Sequence, residues 1–174
     1  VTKTYDYDVI SIGADKHRDY VTLLETAGSL PLLRFLIITS QNHATNIRPS
    51  LPKNVQLLVD IPMSDIRYYL ARSRISCVPV FENVYSGATT VVLQSMAMGL
   101  PTIANEIGAN IDRSFFRPGE NIVFAKNRSA PDLAKWIHCI LEAPSLYEKL
   151  SKQSRIDVTT HRNLIDYSHS LFTL

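Results

Sequence analysis

The chain has 174 residues, of which 45% are hydrophobic and 20% charged, and its formal net charge at pH 7 is +2. This length suffices for one domain with a sizeable core, and no run approaches the roughly 18 apolar residues that a membrane span needs. So small a net charge does not indicate nucleic-acid binding, and we expect no nucleic-acid partner. The chain opens at Val1 without a signal-peptide pattern, and we interpret it as part of a larger protein.

Cysteine and histidine usage argues against disulfides and metals. Cys77 and Cys139 both lie in apolar runs, which predicts two buried thiols and a reducing, cytoplasmic location. None of the five histidines shows the spacing of metal ligands. His161 and His169 would lie about 12 Å apart on one helix, too far to share an ion. We expect no metal site.

Short apolar runs alternate along the chain with longer amphipathic runs, which is typical of a parallel sheet covered by helices. Six runs are predicted as strands, at residues 8–12, 33–39, 55–59, 75–80, 102–105 and 121–125. After the first strand, four apolar residues share one face of a helix that Gly28 is expected to end: Tyr20, Leu23, Leu24 and Ala27. A polar loop is predicted from residue 40 to residue 53.

Further helices are predicted between and after the later strands. Ser64 is expected to cap one that carries Ile66, Tyr69 and Leu70 on its inner face, and two more are expected at 89–98 and 110–116. The clearest amphipathic pattern follows Ser129 as an N-cap, with apolar residues at Leu133, Trp136, Ile137, Ile140 and Leu141. Pro144 is expected to break this helix, a second to run to about Val158, and a last to cover 163–172.

These elements predict an α/β fold with a Rossmann-like, doubly wound parallel sheet of six strands and helices on both faces. We interpret residues 1–174 as a single domain. In such sheets ligands bind beyond the carboxyl ends of the strands, where loops lead into helices. The loops expected at that edge are 13–18, 60–64, 80–90, 105–110 and the segment near Asn121.

The loop that enters the predicted helix 89–98 consists of small and hydroxyl residues: Ser86, Gly87, Ala88, Thr89 and Thr90. Such residues let a ligand approach the backbone, and the free N–H groups and dipole at a helix start favour an anion. Gln94 is the one sizeable polar side chain of this otherwise apolar helix, and a buried amide needs partners such as ligand hydroxyls. A purely structural turn is the alternative, since many doubly wound folds have one without a ligand.

Common nucleotide fingerprints are absent from the sequence. Only Gly13 follows the first strand, before Ala14, so there is no G-x-G-x-x-G, and no phosphate loop of the form G-x-x-x-x-G-K-[ST] occurs. Met96 and Met98 are interpreted as core packing.

Several segments, in this order, resemble the carboxyl-terminal domain of retaining glycosyltransferases of the GT-B fold: Val78-Pro79-Val80, Ser86-Gly87 and residues 94–104. The chain is particularly similar to the fourth family, the group 1 glycosyltransferases. Its signature is a glutamate, seven residues, a second glutamate and then Ala-Met-Ala-x-Gly-x-Pro. Weaker similarities extend over nearly the whole chain, at 12–13, 18–20, 23–25, 51–55, 105, 108 and 118–121.

The resemblance implies a hexosyltransferase-type enzyme of polysaccharide or glycoconjugate synthesis. It would transfer a sugar from a nucleoside diphosphate sugar to an acceptor hydroxyl, with retention and without metal or cofactor. The base would lie near Asp60 and Ile61, the ribose at Gln94, and the diphosphate against the N–H groups of residues 89–91 with Lys16 or Arg18 alongside. The expected substrate-binding residues are Gly13, Lys16, Arg18, Asp60, Ile61, Ser86, Gly87, Ala88, Thr89, Thr90, Val91 and Gln94.

The resemblance also implies that an amino-terminal domain, absent here, supplies the acceptor site and the catalytic residues, which this sequence leaves unknown. The isolated chain is therefore expected to be inactive, with the helix at 163–172 packing partly on that domain. Membrane association, at the inner face, is expected only through the acceptor or the missing domain.

The chain departs from the family pattern at the charged positions. The two glutamate positions fall on Ser86 and Gln94, and a neutral amide should hold a ribose diol more weakly than a carboxylate. Ala14 replaces the family's diphosphate arginine, and Arg18 stands at the lysine position. For Arg18 and Lys16, the alternative is a solvated loop. Two rival functions remain open: a non-catalytic sugar-nucleotide-binding or assembly domain, and a nucleotide-sugar epimerase of the same architecture.

Overall fold

A computed structural model of the chain describes residues 4–82, 88–105 and 112–161. The strands are β1 Tyr7–Ile12, β2 Phe35–Thr39, β3 Val55–Val59, β4 Ser73–Val78, β5 Thr102–Asn105 and β6 Val123–Ala125. They form one sheet in the order β3-β2-β1-β4-β5-β6, and every neighbouring pair is parallel. This confirms the predicted doubly wound sheet. All five residues of β2 are buried, which explains why that strand has no alternation of polar and apolar residues.

Helices cover both faces of the sheet. They are α1 Tyr20–Ser29, α2 Gln41–Ile47, α3 Met63–Ala71, α4 Thr89–Ala97, α5 Ala130–Glu142 and α6 Pro144–His161. One core cluster joins Val9 and Phe35 to the apolar faces of α1 and α5. A second cluster joins Ile10 and Leu36 to Ile66 and the rest of α3's inner face. A third holds α4 and the end of α6 against the β4 and β5 side of the sheet.

The predicted loop at 40–53 was wrong. It contains α2 and a turn of 3-10 helix at Arg48–Ser50. Ala44 and Ile47 are the buried residues of α2. Two apolar positions at helical spacing hold this short helix against the domain, too few to stand out in a polar sequence.

Other boundaries differ by a few residues. Ser64 is not an N-cap, because α3 begins at Met63 after Pro62, and the Ser64 hydroxyl instead donates to Asp65 Oδ1 at 2.9 Å. Gly28 lies inside α1, and Leu30 caps the helix. Residues 112–116, the described part of the predicted helix 110–116, form turns, in which Asp112 Oδ1 accepts from the Ser114 and Phe115 N–H groups.

The end of the chain follows the prediction as far as it is described. The Ser129 hydroxyl accepts a hydrogen bond from the Asp132 N–H at 3.4 Å, so Ser129 is the N-cap of α5. Pro144 separates the last two described helices by opening α6. The predicted helix at 163–172 lies outside the described residues.

The carboxyl end of α4 is defined by the backbone that follows it. At its end, Gly99 adopts a left-handed φ of 70°, while the N–H groups of Gly99 and Leu100 donate to the Met96 and Ser95 carbonyls. This is a Schellman motif, in which glycine is favoured because it carries no Cβ. The Ser95 hydroxyl donates to the Ser76 hydroxyl at 2.8 Å and fastens α4 to β4.

The cysteines do not pair: Cys77 is buried and Cys139 half-buried, so the prediction of two buried thiols holds fully for Cys77 alone. Among the helices described, none is both long and apolar enough to cross a membrane.

Candidate functional site

A cleft of about 330 Å³ lies beyond the carboxyl ends of β1, β2 and β3, beside the first turns of α4. Its volume is at the lower end of the range typical of ligand pockets. β1 and β4 are neighbours, and the helices that follow them pack on opposite faces of the sheet. The cleft therefore lies at the topological switch point, where parallel sheets bind their ligands.

The structure brings seven of the predicted site residues together around this cleft: Gly13, Arg18, Asp60, Ile61, Thr90, Val91 and Gln94. Ala88 and Thr89, half-buried, sit at the start of α4 without lining it, and Lys16 is exposed. The other two predicted residues, Ser86 and Gly87, lie outside the described part of the chain. Contact of these residues with a ligand stays a prediction.

Eight further residues line the cleft that are not among the expected substrate-binding residues: Ile12, Ala14, Asp15, Ile38, Thr39, Ser40, Met63 and Ile66. Thr39 is the last residue of β2, and Ser40 follows it. The rule that ligands gather at strand ends would have found them had it also been applied to this strand. Ile38 and Ile66 give the cleft an apolar floor on its β2 and β3 side.

Gly13 directly follows β1 and lines the cleft, and both its N–H and its carbonyl make hydrogen bonds. Its carbonyl accepts hydrogen bonds from the Tyr20 hydroxyl at 2.6 Å and the Thr39 hydroxyl at 2.7 Å, and its N–H donates to the Ile38 carbonyl at 3.0 Å. Burial raises the pKa of Tyr20 to about 12, so the phenol stays protonated and keeps donating. The cleft wall at β1 is therefore rigidly held.

The loop after Gly13 connects two other parts of the site. Backbone hydrogen bonds join His17 to Phe81 and Asp19 to Pro79, so the loop lies against the exit of β4. A ring nitrogen of His43 in α2 lies 2.8 Å from the Asp15 carbonyl oxygen. Asp19 then caps α1 by accepting from the Thr22 N–H and hydroxyl. The loop is thus held against the exit of β4 on one side and against α2 on the other.

Arg18 is buried within this loop. Its side chain is 2% exposed and its Nε lies 2.8 Å from Asp15 Oδ2. The alternative of a solvated loop residue is therefore wrong for Arg18, whereas the exposed Lys16 fits it. Arg18 is the only cation among the described residues that line the cleft, beside the carboxylates of Asp15 and Asp60.

The start of α4 presents backbone donors near Arg18. Ala88 holds the N-cap position without a side-chain hydrogen bond, and the first backbone bond of the helix runs from the Val92 N–H to the Ala88 carbonyl. The N–H groups of residues 89–91 precede that bond, and a helix offers such groups to caps, water or ligands. Together with the helix dipole they favour an anion here.

Gln94 and Asp60 are two further polar residues of the cleft lining. Within the described residues, no hydrogen bond uses the half-buried side-chain amide of Gln94, which lines the cleft one turn into α4. Asp60 directly follows β3 in a left-handed conformation with a φ of 51°, and its N–H donates to the Thr39 carbonyl. Aspartate tolerates this conformation better than most residues.

Asn105, at the end of β5, holds the neighbouring strand ends in place. The Val80 N–H donates to its side-chain oxygen at 2.8 Å, and its side-chain nitrogen donates to the carbonyls of Ala125 and Lys126. The ends of β4, β5 and β6 are thus joined by one buried amide. The loop at 105–110, predicted to border the ligand, is described only at this first residue.

Comparisons with known proteins agree with this architecture. The model of the family described as "Glycosyl transferases group 1" matches residues 13–143. Sucrose-phosphate synthase from Thermosynechococcus elongatus is similar with a TM-score of 0.81 and 19% identity, over 97% of this chain and 44% of that one. The C-terminal domain of a group 1 glycosyl transferase from Francisella tularensis gives a TM-score of 0.73 and 16% identity, over 92% and 88% of the two chains.

HepE from Anabaena, solved in complex with UDP-glucose, is similar with a TM-score of 0.80 and 13% identity, over 97% of this chain and 50% of that one. Identities this low establish a shared fold alone. The chain spans 44% of the sucrose-phosphate synthase chain and 47% of the chain of a similar glycosyltransferase from Rickettsia africae. No curated protein matches the chain in sequence.

Proposed function

Since this chain belongs to the group 1 glycosyltransferases, we propose that it binds the nucleoside diphosphate sugar from which such an enzyme transfers the sugar to an acceptor hydroxyl. The observation that carries the proposal is the cleft at the β1–β4 switch point. It combines the buried Arg18 with the start of α4, which has no side-chain cap among the described residues. This arrangement suits a ligand that has an anionic group and, on one side of that group, hydroxyls and a flat apolar part. A nucleoside diphosphate sugar has those features.

The donor's diphosphate would lie against the N–H groups of residues 89–91 and Arg18. Its nucleoside would then extend along the carboxyl ends of β2 and β3, where Ile38 and Ile66 line the cleft. β1 and β3 are two strand spacings apart, about 10 Å, which suits the length of a nucleoside. This pose brings the ribose to Gln94 and the base to Asp60 and Ile61. HepE, of similar fold, has been solved with UDP-glucose.

In the proposed reaction the bond between the sugar's anomeric carbon and the diphosphate breaks as the acceptor oxygen bonds to that carbon with retention. The acceptor's hydroxyl proton passes to a base, and the nucleoside diphosphate leaves with the electron pair of the broken bond and its negative charge. Arg18 and the α4 amides would stabilise that charge, as preorganised donors do at a leaving group. In this proposal Arg18 and the α4 amides stabilise the leaving group without a metal ion. The amino-terminal domain supplies the acceptor site and any base.

A second function, a sugar-nucleotide binder without transferase activity, is supported by the cleft's charges. One cation faces two carboxylates among its described lining residues, and Gln94 is neutral. Leaving-group stabilisation is therefore weaker than several cations would give. The two functions share a ligand, so binding does not separate them. The longer protein that contains this chain should form a glycoside if the first is right; tight donor binding without any glycoside would establish the second.

Thermal melting against a panel of nucleoside diphosphates and their sugars tests the binding site directly. A ligand at a hundred times its Kd adds about 2.7 kcal/mol to the free energy of unfolding. For Gln94→Glu we expect tighter binding of the matching nucleotide, by roughly tenfold, because a carboxylate bonds the ribose diol more strongly than an amide. Gln56→Glu is the matched control, since it adds the same charge on an exposed β3 residue whose oxygen still accepts from the Tyr7 hydroxyl. Equal affinities of both variants would refute the ribose assignment.

A further inference from the structure

The Arg18 guanidinium packs against Gly13, the residue that follows β1. A Cβ atom built on Gly13 would be 1.9 Å from Arg18 Nε, 2.4 Å from Cζ and 2.6 Å from Nη2. The Arg18 backbone is also held, through an antiparallel bridge to Val80. Both the position and the burial of this cation are therefore set by the fold.

The electrostatic partner of this buried cation is Asp15, and the pair is poorly hydrogen-bonded. Asp15 Oδ2 is 2.8 Å from Arg18 Nε, but Nε does not point at a partner, and neither Nε nor Nη1 makes a hydrogen bond within the described chain. An ion pair of this kind retains unused donors on a group that is nearly inaccessible to water. A buried charged donor without an acceptor costs free energy, so a ligand that offers an acceptor of better geometry should bind favourably.

Asp15 is the partner that can move. Its side chain is 33% exposed, against 2% for Arg18, and it stands in a loop outside the helices and strands. Within the described chain, its other carboxylate oxygen accepts only a local hydrogen bond, from the His17 N–H at 3.1 Å. Rotation of this side chain into water would uncover the cleft side of Arg18 without disturbing a strand or helix.

We infer that Asp15 is an internal counter-ion, which neutralises Arg18 in the ligand-free protein and is displaced from it by the donor's diphosphate. This inference rests on the proposed function for the identity of the ligand. Two consequences follow, with opposite signs. Asp15 stabilises the free protein, because without it Arg18 is a buried and unpaired cation. Asp15 also weakens diphosphate binding, because the ligand must break an existing ion pair and approach a second negative charge.

The test uses the 174-residue chain with Asp15→Asn, and isothermal titration with inorganic pyrophosphate, UDP and GDP as probes. We expect Asp15→Asn to melt several degrees below the unsubstituted chain and to bind pyrophosphate and the accepted nucleotide roughly tenfold more tightly. Glu25→Gln removes the same charge from an exposed position on α1, and should change neither property. Asp15→Ser is the second variant, since its hydroxyl can still accept from the His17 N–H and preserve the loop if the asparagine variant does not fold.

Unchanged or weaker binding of pyrophosphate and nucleotide by both Asp15 variants would overturn the inference. Tighter binding without any loss of thermal stability would also overturn it, because it would show that Asp15 repels the anion without forming a stabilising ion pair with Arg18. The proposed function fails separately. If no nucleotide binds, but pyrophosphate binds and binds more tightly to Asp15→Asn, then the counter-ion role stands and the donor assignment falls. If UDP or GDP binds equally to both chains, the donor assignment stands and the counter-ion role falls.

Discussion

Replacement of Gly13 by alanine should remove the cleft's cation without removing any charge from the sequence. The backbone permits the change, because Gly13 is not one of the residues with a positive φ. The new methyl group, however, would lie 1.9 Å from Arg18 Nε. To regain ordinary van der Waals contact, the guanidinium must move by about 1.5 Å or more, away from β1.

The size of the effect follows from what Arg18 is proposed to do. Hydrogen bonds to charged groups contribute about 1.5–3 kcal/mol each, so their loss should weaken pyrophosphate and nucleotide binding by about 10- to 150-fold. Strain in the loop should also lower the free energy of unfolding, by about 1–3 kcal/mol. For a domain of this size, each kcal/mol corresponds to about 2–4 °C in Tm.

Gly28→Ala is the matched control for Gly13→Ala. Gly28 lies within α1, and an added Cβ would meet only Pro52 Cγ, at 4.0 Å. Alanine in a helix is favoured over glycine by about 0.5–1 kcal/mol, so this variant should be slightly more stable and bind normally. Titration calorimetry and thermal melts on both variants provide the measurements. Normal pyrophosphate affinity in a folded Gly13→Ala chain would refute the assignment of Arg18 as the anion's ligand.

Two further predictions concern the core. Burial opposes ionisation of Asp157, but the hydrogen bonds from Asn121 and Gln153 and the charge of Arg117 outweigh burial and lower the pKa of Asp157 below 3.8. The ionised Asp157 therefore stabilises the fold above pH 3.8, and this stability is lost as the pH falls through the folded-state pKa. Melts over this pH range should show a smaller acid-induced loss for Asp157→Asn than for the unsubstituted chain, and parallel curves would contradict the assignment. Burial raises the pKa of the Cys77 thiol well above its usual range. A maleimide should therefore modify Cys77 only after denaturant unfolds the chain. Modification of Cys77 in the native protein would show that this core opens.

The course of the chain through the sheet was largely predictable from hydrophobic patterning. The bounds of β3 and β5 match those predicted, and the apolar face of α1 is buried as expected. β3 is apolar at four of its five positions and α1 has one apolar stripe, so both elements carry a clear local signal. Where the local signal was weak, as for α2 with two buried residues, the prediction failed.

The ordered motifs around α4 were enough to identify the family, and with it seven residues that the fold gathers at one cleft. The state of the cleft's charges, in contrast, becomes visible only in the folded chain. Lys16 and Arg18 are two residues apart and equally plausible as diphosphate ligands by sequence, yet the first is exposed and the second is buried on Gly13 beside Asp15. Side-chain direction in a loop depends on contacts with distant segments, here Val80 and Phe81 after β4, and no local pattern encodes such contacts.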